Sequence, residues 1–387
     1  MAMIIALLAF LSDLCNSMTQ PTVSILAINL GASYDFIGTM VAVSSLSRLL
    51  IVQPVGTLSD RLDKRFFLTL GFLCYLINFS FLFFAYNPLH ILIGRVIGGM
   101  GSAMFYTSAV ALILTSDSKS KGMDMGVYAT LMGIGFSLGP LIGGFIAQNY
   151  SYNASYLLSI VFAVIALPLA ILGLGKKNMK KNELLEKSKK HEKVNLKKLL
   201  SNKELLITCI GGFFISESLG ADTSFFPVYG KTLLLSEGII GSILSIRALL
   251  STIVRIPIGK ATELVNPKKF MMVALVLSSL GLFLIPQFNI VWLFPLFLGL
   301  EGIGYGIFLT SANIHIGNVT DEGSKGSAVG LYSTFSGIGG VFNMTILGLI
   351  ASTLGLANTF RFTSLTCLFG FILIIILSFS RVRARVR

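Results

Sequence analysis

Seven ionisable side chains interrupt stretches of sequence that are otherwise almost entirely apolar. They are Asp13, Arg48, Arg95, Glu217, Asp222, Arg247 and Glu301. An ionisable side chain in hydrocarbon costs at least about 2.5 kcal/mol on insertion scales, so each one is a candidate functional residue. Acids whose protonation responds to burial or to a nearby cation can couple proton binding to another event. The alternative is a set of fixed ion pairs: Asp13 with Arg48 or Arg95, and Glu217 with Arg247.

Other reactive residue types are too few or too widely spaced for catalysis. The histidines are His90, His191 and His315, and the cysteines Cys15, Cys74, Cys209 and Cys367 lie far apart within apolar stretches. This spacing fits neither a disulfide framework nor a metal site. The sequence also lacks a glycine-rich phosphate loop and a Ser-His-Asp arrangement. We therefore expect no catalytic residue, no metal and no cofactor, and we predict that the protein is not an enzyme.

The elements that hold these charges are those of a membrane protein. Of the 387 residues, 54% are hydrophobic and only 12% are charged, and the mean hydropathy is +0.83. Soluble domains carry about 25% charged residues, so most of this surface must face a lipid bilayer. The net charge of +13 does not indicate nucleic-acid binding, because most basic residues lie in short segments between apolar stretches. We expect a monomer.

Twelve apolar stretches approach or exceed the roughly 20 residues needed to cross the hydrocarbon layer. The predicted spans are 4–30, 37–58, 66–86, 89–114, 123–148, 155–174, 205–229, 238–259, 270–285, 290–316, 326–354 and 356–380. The ninth is short and ends before Pro286. The sequence thus predicts an all-α membrane protein with twelve transmembrane helices.

The positions of Lys and Arg indicate the orientation in the membrane. They concentrate in the even-numbered connections and the C-terminal tail, and Lys231 is the main exception in the odd-numbered connections. Because basic residues in short loops stay on the cytoplasmic side, we predict cytoplasmic termini in a protein of the cell membrane. Arg255, His315 and Arg361 lie near span ends, where interface contact suffices, and we assign them no chemistry.

An internal repeat divides the chain. Gly126, Tyr128, Thr130 and Gly133 recur 204 residues later as Gly330, Tyr332, Thr334 and Gly337. The predicted organisation is a six-helix bundle (1–174), a Lys-rich cytoplasmic linker (175–204) and a second six-helix bundle with a short basic tail (205–387). Six helices per repeat preserve orientation, so the halves are pseudo-symmetric about an axis along the membrane normal. The linker is expected to be a solvated loop, with binding of anionic lipid or a partner as the alternative.

Three motifs carry a resemblance to a known family. The second span leads into Gly56-Thr57-Leu58-Ser59-Asp60-Arg61-Leu62-Asp63-Lys64-Arg65. This segment resembles the loop motif of the major facilitator superfamily, with Asp63 in place of a glycine. The resemblance implies a gating loop made of Gly56, Asp60, Arg61 and Arg65, in which Asp60 meets the dipole at the start of the eleventh span. By pseudo-symmetry Glu263 would meet the fifth span; a simple loop cap is the alternative for Asp60.

The fifth span carries the second motif, Gly135-Phe136-Ser137-Leu138-Gly139-Pro140-Leu141-Ile142-Gly143-Gly144. It matches the motif associated with the drug/proton antiporter families of the superfamily. Glycines at i, i+4 and i+8 form a groove that another helix can approach closely, and Pro140 kinks the helix. Gly135, Gly139, Pro140, Gly143 and Gly144 are therefore expected to form a hinge at a moving interface, with generic small-residue packing as the alternative.

The third motif, Arg95-Val96-Ile97-Gly98-Gly99, is similar to the family's fourth-helix motif. In this family the first, fourth, seventh and tenth helices line a central cavity. The resemblance therefore assigns Asp13, Arg95, Glu217, Asp222 and Glu301 to a cavity for substrate and protons, with Arg48 and Arg247 as partners. It implies proton-coupled efflux of small lipophilic or cationic compounds. A carrier of sugars, organic anions or other metabolites is the alternative, with Arg95 and Arg247 as anion anchors; a receptor or enzyme without transport is a third interpretation.

Replacement of Asp60 by Asn tests the gating loop. If the Asp60 carboxylate meets unpaired amides at the start of the eleventh span, the contact contributes roughly 0.3 to 2 kcal/mol. Asp60→Asn is then expected to slow transport without abolishing substrate binding, measured as turnover and as equilibrium binding. Unchanged turnover would leave only the loop-cap interpretation.

Overall fold

The computed structural model describes residues 1–59, 62–115, 120–172, 196–321 and 324–385, and leaves the side chains of 196–198 and 379–385 undescribed. Within these ranges the chain is almost entirely helical. Twelve helices, numbered α1 to α12, are long and apolar enough to cross a membrane. They are Ala2–Asn29, Tyr34–Ser59, Lys64–Phe83, Pro88–Leu114, Lys121–Asn149, Tyr152–Leu172, Lys203–Thr232, Glu237–Leu264, Pro267–Gln287, Val291–Val319, Lys325–Leu354 and Leu356–Ser378.

The predicted all-α fold with twelve spans is confirmed, and most ends differ from the prediction by a few residues. The expected short ninth span is wrong, because α9 has 21 residues. It begins at Pro267, whose fixed φ suits the first helical turn, and the Asn266 side chain accepts the Lys268 amide at 2.9 Å. Pro286 lies within a final 3₁₀ turn rather than after the helix.

The predicted linker, 175–204, lies outside the described residues up to residue 195. At its end are a short helix, Leu196–Ser201, and the start of α7, which precedes the predicted residue 205 by two positions. Asn202 caps α7 by accepting the amides of Glu204 and Leu205. The boundary between two halves at this segment remains a prediction.

Three of the membrane helices are interrupted. In α1 the helix is broken at Thr19, just before Pro21, and in α8 it is broken at Val254. In α7 one turn, Ala221–Phe225, is a π-helix. A π-turn inserts a residue and rotates the rest of the helix about its axis, and such turns are frequent at functional sites. Here the π-turn contains Asp222, one of the candidate acids.

Two helix crossings join the first six helices to the last six. Helix α2 crosses α11 where Gly38 meets Gly348, and α5 crosses α8 where Gly144 meets Gly241. Small residues let two helix backbones approach closely; a Cβ at Gly348 would lie 2.9 Å from the Asp35 carbonyl oxygen. Since Gly241 follows Gly38 by 203 residues and Gly348 follows Gly144 by 204, the crossings occupy equivalent repeat positions.

Each crossing ends in a hydrogen bond from one half to the other. The Gln148 side chain at the end of α5 accepts the Gly238 amide at 3.1 Å, and Ser352 at the end of α11 accepts the Asp35 amide at 2.9 Å. Gln148 and Ser352 are also 204 residues apart. Each side chain thus caps the first turn of a helix in the other half, where backbone amides lack partners.

A third link lies at the same membrane face. Lys231, the basic exception among the odd-numbered connections, pairs with Glu237 at 2.7 Å. Glu237 also accepts the Tyr152 hydroxyl at 2.7 Å. With an even number of spans, α1 begins and α12 ends at the other face, which we call the terminus face. The opposite face is therefore the one that the two crossings and this link close.

The terminus face is open between the same pairs of helices. A Cβ added at Gly56 on α2, at Gly122 or Gly126 on α5, or at Gly330 on α11 would meet no atom of the described residues within 4 Å. These glycines lie at the helix ends farthest from the two crossings. The chain is therefore closed at the opposite face and open at the terminus face.

Replacing Gly348 by Ala is expected to loosen the closed face. The added methyl overlaps the α2 backbone, and overpacking of this kind costs about 1 to 3 kcal/mol. We expect the distance between spin labels at Ser33→Cys and Thr353→Cys, both exposed at this face, to shift toward longer values. Gly340→Ala on the same helix is the control, because its Cβ would meet only Ser45 Oγ at 3.8 Å. Equal distance distributions in the two variants would contradict the role of this crossing.

Candidate functional site

A buried charge cluster lies between α7, α8 and α10. Arg247 Nε lies 3.1 Å from Asp222 Oδ2 and 2.7 Å from Glu301 Oε2, and Arg247 Nη2 also lies 2.7 Å from Glu301 Oε2. The three side chains are at most 1% exposed. One guanidinium is thus shared by two carboxylates inside the protein.

Local sequence explains how the three groups meet. The π-turn of α7 carries Asp222, and Gly302 lets α10 approach the backbone of α8 at Arg247, where a Cβ would overlap the Arg247 carbonyl. The Tyr305 ring lies 5.1 Å from the guanidinium carbon, in the range of a cation–π contact. The cluster is therefore supported by packing on two sides.

The charges in this cluster do not balance. Two carboxylates and one guanidinium carry a net charge of −1 if all are ionised. Asp222 Oδ1, Glu301 Oε1 and Arg247 Nη1 are buried without a hydrogen-bond partner among the described residues. Unpaired buried polar atoms and uncompensated buried charge are costly. Binding one proton to either acid would balance the charge, so the arrangement can take up and release a proton.

A second cluster surrounds Asp13 on α1. The Tyr106 hydroxyl donates a hydrogen bond to Asp13 Oδ1, and the exposed Arg48 lies over the Tyr106 ring with its guanidinium carbon 5.9 Å from the ring centre. Tyr75 and Tyr128 are within electrostatic range of the Asp13 carboxylate. A carboxylate among aromatic rings suits an organic cation with an apolar body.

Arg255 on α8 is within electrostatic range of both clusters, although the sequence alone assigns it no chemistry. It interacts electrostatically with Asp13 of the first half and with Tyr305 beside Arg247. The helix break at Val254 places Arg255 at the start of a new helical segment, with its Nε bonded to the Ser251 carbonyl at 3.2 Å. In the sequence, the eight-residue spacing between Arg247 and Arg255 indicates that both lie on one face of α8.

The alternative that pairs Glu217 with Arg247 does not hold in the structure. Glu217 is buried and lies against α12, where Thr366 Oγ1 is 2.7 Å and Thr363 Oγ1 is 3.4 Å from its carboxylate oxygens. Glu217 and Asp222 are five residues apart, and at about 100° per residue they point in different directions. Glu217 therefore faces an outer helix, while Asp222 faces Arg247.

The alternative that pairs Asp13 with Arg48 or Arg95 does not hold either. Among the described residues Asp13 has no ion pair within 4.0 Å, and Arg48 acts on it only from a longer distance. Arg95 on α4 lies elsewhere: its Nε is buried without a partner in the described part of the chain, and Tyr156 is its electrostatic neighbour. The structure thus does not bring Arg95 to the acids.

The glycines of α5 pack in two directions. A Cβ at Gly135, Gly139 or Gly143 would overlap α1, at the Phe10 carbonyl, the Ser17 side chain and the Met18 carbonyl respectively. These three glycines therefore hold α1 and α5 together within one half, and their role as a hinge at a moving interface remains a prediction. Gly144 and the Pro140 carbonyl instead meet Gly241 on α8.

The gating loop is only partly described, since Asp60 and Arg61 lie outside the described residues. Asp63 accepts the Arg65 amide at 3.0 Å, so the residue that stands in place of the motif's glycine is the N-cap of α3. The Arg65 side chain lies 3.9 Å from Asp63. Glu263 is exposed and lines a pocket at the terminus face with Glu204, Lys268 and His315.

That pocket contains a polar cluster which sequence reasoning misses. Glu204 Oε2 lies 2.9 Å from Lys268 Nζ and 3.5 Å from His315 Nε2, and His315 Nδ1 lies 2.8 Å from Thr208 Oγ1. The cluster ties together α7, α9 and α10. The sequence places Glu204 in the linker and gives His315 no chemistry, because nothing in the spacing along the chain relates them.

Comparison with known proteins identifies similar transporters. The sequence profile of the Major Facilitator Superfamily matches residues 5–236 and 219–387. The MFS-type transporter MJ1560 of Methanocaldococcus jannaschii is 24% identical over 357 residues, 89% of each chain. The quinolone resistance protein NorA of Staphylococcus aureus (strain COL) is 24% identical over 347 residues, 88% of this chain and 87% of NorA.

Solved structures share the fold. A bacterial homologue of the human lysosomal transporter Spinster, in an inward-facing and occupied conformation, has a TM-score of 0.83 at 14% identity. The match covers 97% of this chain and 96% of the homologue's chain. The nucleoside transporter NupG has a TM-score of 0.77 at 13% identity, over 97% of this chain and 99% of its own.

Removing Arg247 tests the charge cluster. In Arg247→Met, Asp222 and Glu301 lose their cation, and breaking a buried pair in this way costs about 3 to 5 kcal/mol. Protons neutralise the acids at low pH, so the loss of thermal stability is expected to be large at pH 8 and smaller at pH 5. Arg361→Met, which removes an exposed arginine bonded to Asn358, is the control. A pH-independent loss in Arg247→Met would show that the arginine contributes packing alone.

Proposed function

The chain belongs to the Major Facilitator Superfamily and is a transporter rather than an enzyme, and we propose that it exports small lipophilic or cationic compounds in exchange for protons. The observation that carries the proposal is the sharing of Arg247 by Asp222 and Glu301 in the protein interior. A cluster with one more acid than base takes a proton to become neutral. It gives the proton up when a cation or a conformational change supplies compensating charge.

The residues around Asp13 support a lipophilic or cationic compound as the substrate. They offer a carboxylate, the half-buried Tyr106 and the nearly buried Tyr128 on the first half, and Tyr305 lies on the second half. Aromatic faces bind apolar bodies and cations, and the acid adds charge recognition. A relative of similar length, NorA, is named a quinolone resistance protein, which agrees with export of organic compounds.

The conformation supports alternating access between the two halves. We propose that residues 1–174 and 205–387 move as two bodies about the glycine crossings, with the termini on the cytoplasmic side, as the Lys and Arg distribution predicts. The open terminus face then corresponds to an inward-facing state. Closing this face would bring the Asp60 loop to α11.

The alternative function, a carrier of organic anions, receives less support from the charges. Arg247 is its expected anchor, but Asp222 and Glu301 already surround it. Arg95, the second expected anchor, lies apart from both acid clusters. Arg48 and Arg255 are the two arginines near Asp13 that remain as anchors for an anion. The transport assay therefore tests sugars and organic anions as well as lipophilic cations.

Amide substitutions test proton coupling. Asp222→Asn or Glu301→Gln leaves Arg247 with one carboxylate, a balanced pair with no excess acid to bind a proton. In proteoliposomes with an imposed pH gradient, each variant is expected to lose uphill accumulation of a lipophilic cationic dye and to keep downhill exchange.

Asp63→Asn is the matched control, because asparagine caps a helix about as well as aspartate, and it is expected to retain uphill transport. Asp13→Asn separates substrate recognition from coupling, since it is expected to weaken dye binding itself. If both Asp222→Asn and Glu301→Gln still concentrate the dye, the proton enters elsewhere or the protein is a facilitator. Uphill movement of a sugar or an organic anion instead of the dye would favour the alternative function.

A further inference from the structure

A groove on the outside of the helix bundle runs between α9 and α12. It has a volume of about 710 Å³ and is lined by Val273 and Val276 of α9 and by Phe371 and Ile375 of α12, with Lys269 at one end. Val273 is 50% exposed and Val276 is 38% exposed. The groove is therefore an apolar surface of the kind that faces lipid, and Lys269 is the basic residue at its mouth among the described side chains.

The depth of the groove matches one leaflet of a bilayer. Lys269 is the third residue of α9, which begins at the terminus face, and Leu277 at the far end of the lining lies about 12 Å deeper at 1.5 Å per residue. Ser378, at the end of the α12 span, lines the mouth beside Lys269. Half of a hydrocarbon layer is about 15 Å thick, so the groove spans most of the terminus-face leaflet.

The charge at the mouth complements a lipid headgroup. Lys269 is exposed, and its ammonium group makes no ion pair or hydrogen bond with the described residues. The adjacent Lys268 differs, because it is paired with Glu204. Helix α12 continues to Arg385, so Arg381 and Arg383 follow Ser378 along the same helix. Each basic residue near a membrane surface contributes about 1 kcal/mol of attraction to anionic lipid.

We propose that this groove binds an anionic phospholipid of the terminus-face leaflet. One acyl chain lies between Val273 and Val276 on one side and Ile375 on the other, and the headgroup phosphate pairs with Lys269. A net negative headgroup is preferred over a zwitterionic one because the latter brings its own cation to the lysine. The bound lipid braces the first turn of α9, next to the Lys268 pair with Glu204 that holds α9 to α7.

Fluorescence quenching by brominated lipid tests the proposal. The only tryptophan, Trp292, is 87% exposed and is replaced by Phe. A reporter, Leu280→Trp, is placed on α9 beyond the deep end of the groove, where Leu280 is 46% exposed. The protein is reconstituted in equal mixtures of phosphatidylglycerol and phosphatidylcholine in which one or the other is brominated. Quenching of the Leu280→Trp reporter is expected to show that the groove binds phosphatidylglycerol about fivefold more tightly than phosphatidylcholine, the factor that about 1 kcal/mol gives.

Two controls make the result specific. The first control is Leu157→Trp on α6, where Leu157 is 48% exposed. Leu157 lies at a similar depth, about 22 Å from the terminus-face end of α6, against about 20 Å from the terminus-face end of α9 for Leu280. This reporter is expected to be quenched equally by both lipids. Lys269→Gln is expected to remove the preference at Leu280 and to leave the Leu157 signal unchanged, which also shows that the variant is folded. Equal quenching at Leu280 by both lipids, or a preference that survives Lys269→Gln, would overturn the proposal.

Discussion

The cost of keeping charge away from water is the constraint on which this structure depends. Arg247 can lie at the centre of the second half only because Asp222 and Glu301 surround it, and the two acids can lie there only because of the arginine. The packing around the cluster serves that arrangement. The π-turn of α7 presents Asp222, Gly302 brings α10 to α8, and Tyr305 covers the guanidinium. With all three groups ionised the cluster carries an uncompensated buried charge, which one bound proton would balance.

Close backbone contact is the second organising feature, and it is distributed unevenly. The glycine pairs Gly38 with Gly348 and Gly144 with Gly241 hold the two halves together at one membrane face. The side chains of Gln148 and Ser352 add hydrogen bonds to the first turns of opposing helices. Within the first half, Gly135 and its neighbours one and two turns later hold α5 to α1. Contacts within the first half and contacts between the two halves therefore use the same residue type on different faces of α5.

The acids of the two halves have different surroundings. Asp13 is bonded to a tyrosine and acts with Arg48 and Arg255 over longer distances, so its charge is available to a ligand. Glu217, which occupies the position 204 residues after Asp13, is bonded to threonines of α12 and faces away from the other half. Equivalent positions of the repeat thus carry acids in both halves, but only the first is placed among aromatic rings that could hold a substrate.

The sequence by itself determined that this is a twelve-helix membrane transporter. Span length, hydropathy and the positions of basic residues depend on local composition. The repeat at Tyr128 and Tyr332 and the glycine motifs are also visible along the chain. It also singled out the charges inside apolar spans, of which Asp13, Glu217, Asp222, Arg247 and Glu301 are buried while Arg48 is exposed. Only the tertiary structure decided the partners. Arg247 meets Asp222 rather than Glu217 because the two acids lie five residues apart on α7 and point in different directions. The cluster of Glu204, Lys268 and His315 joins residues up to 111 positions apart. A side chain's partner depends on helix rotation and on which helices pack together, and neither is encoded by spacing within a single span.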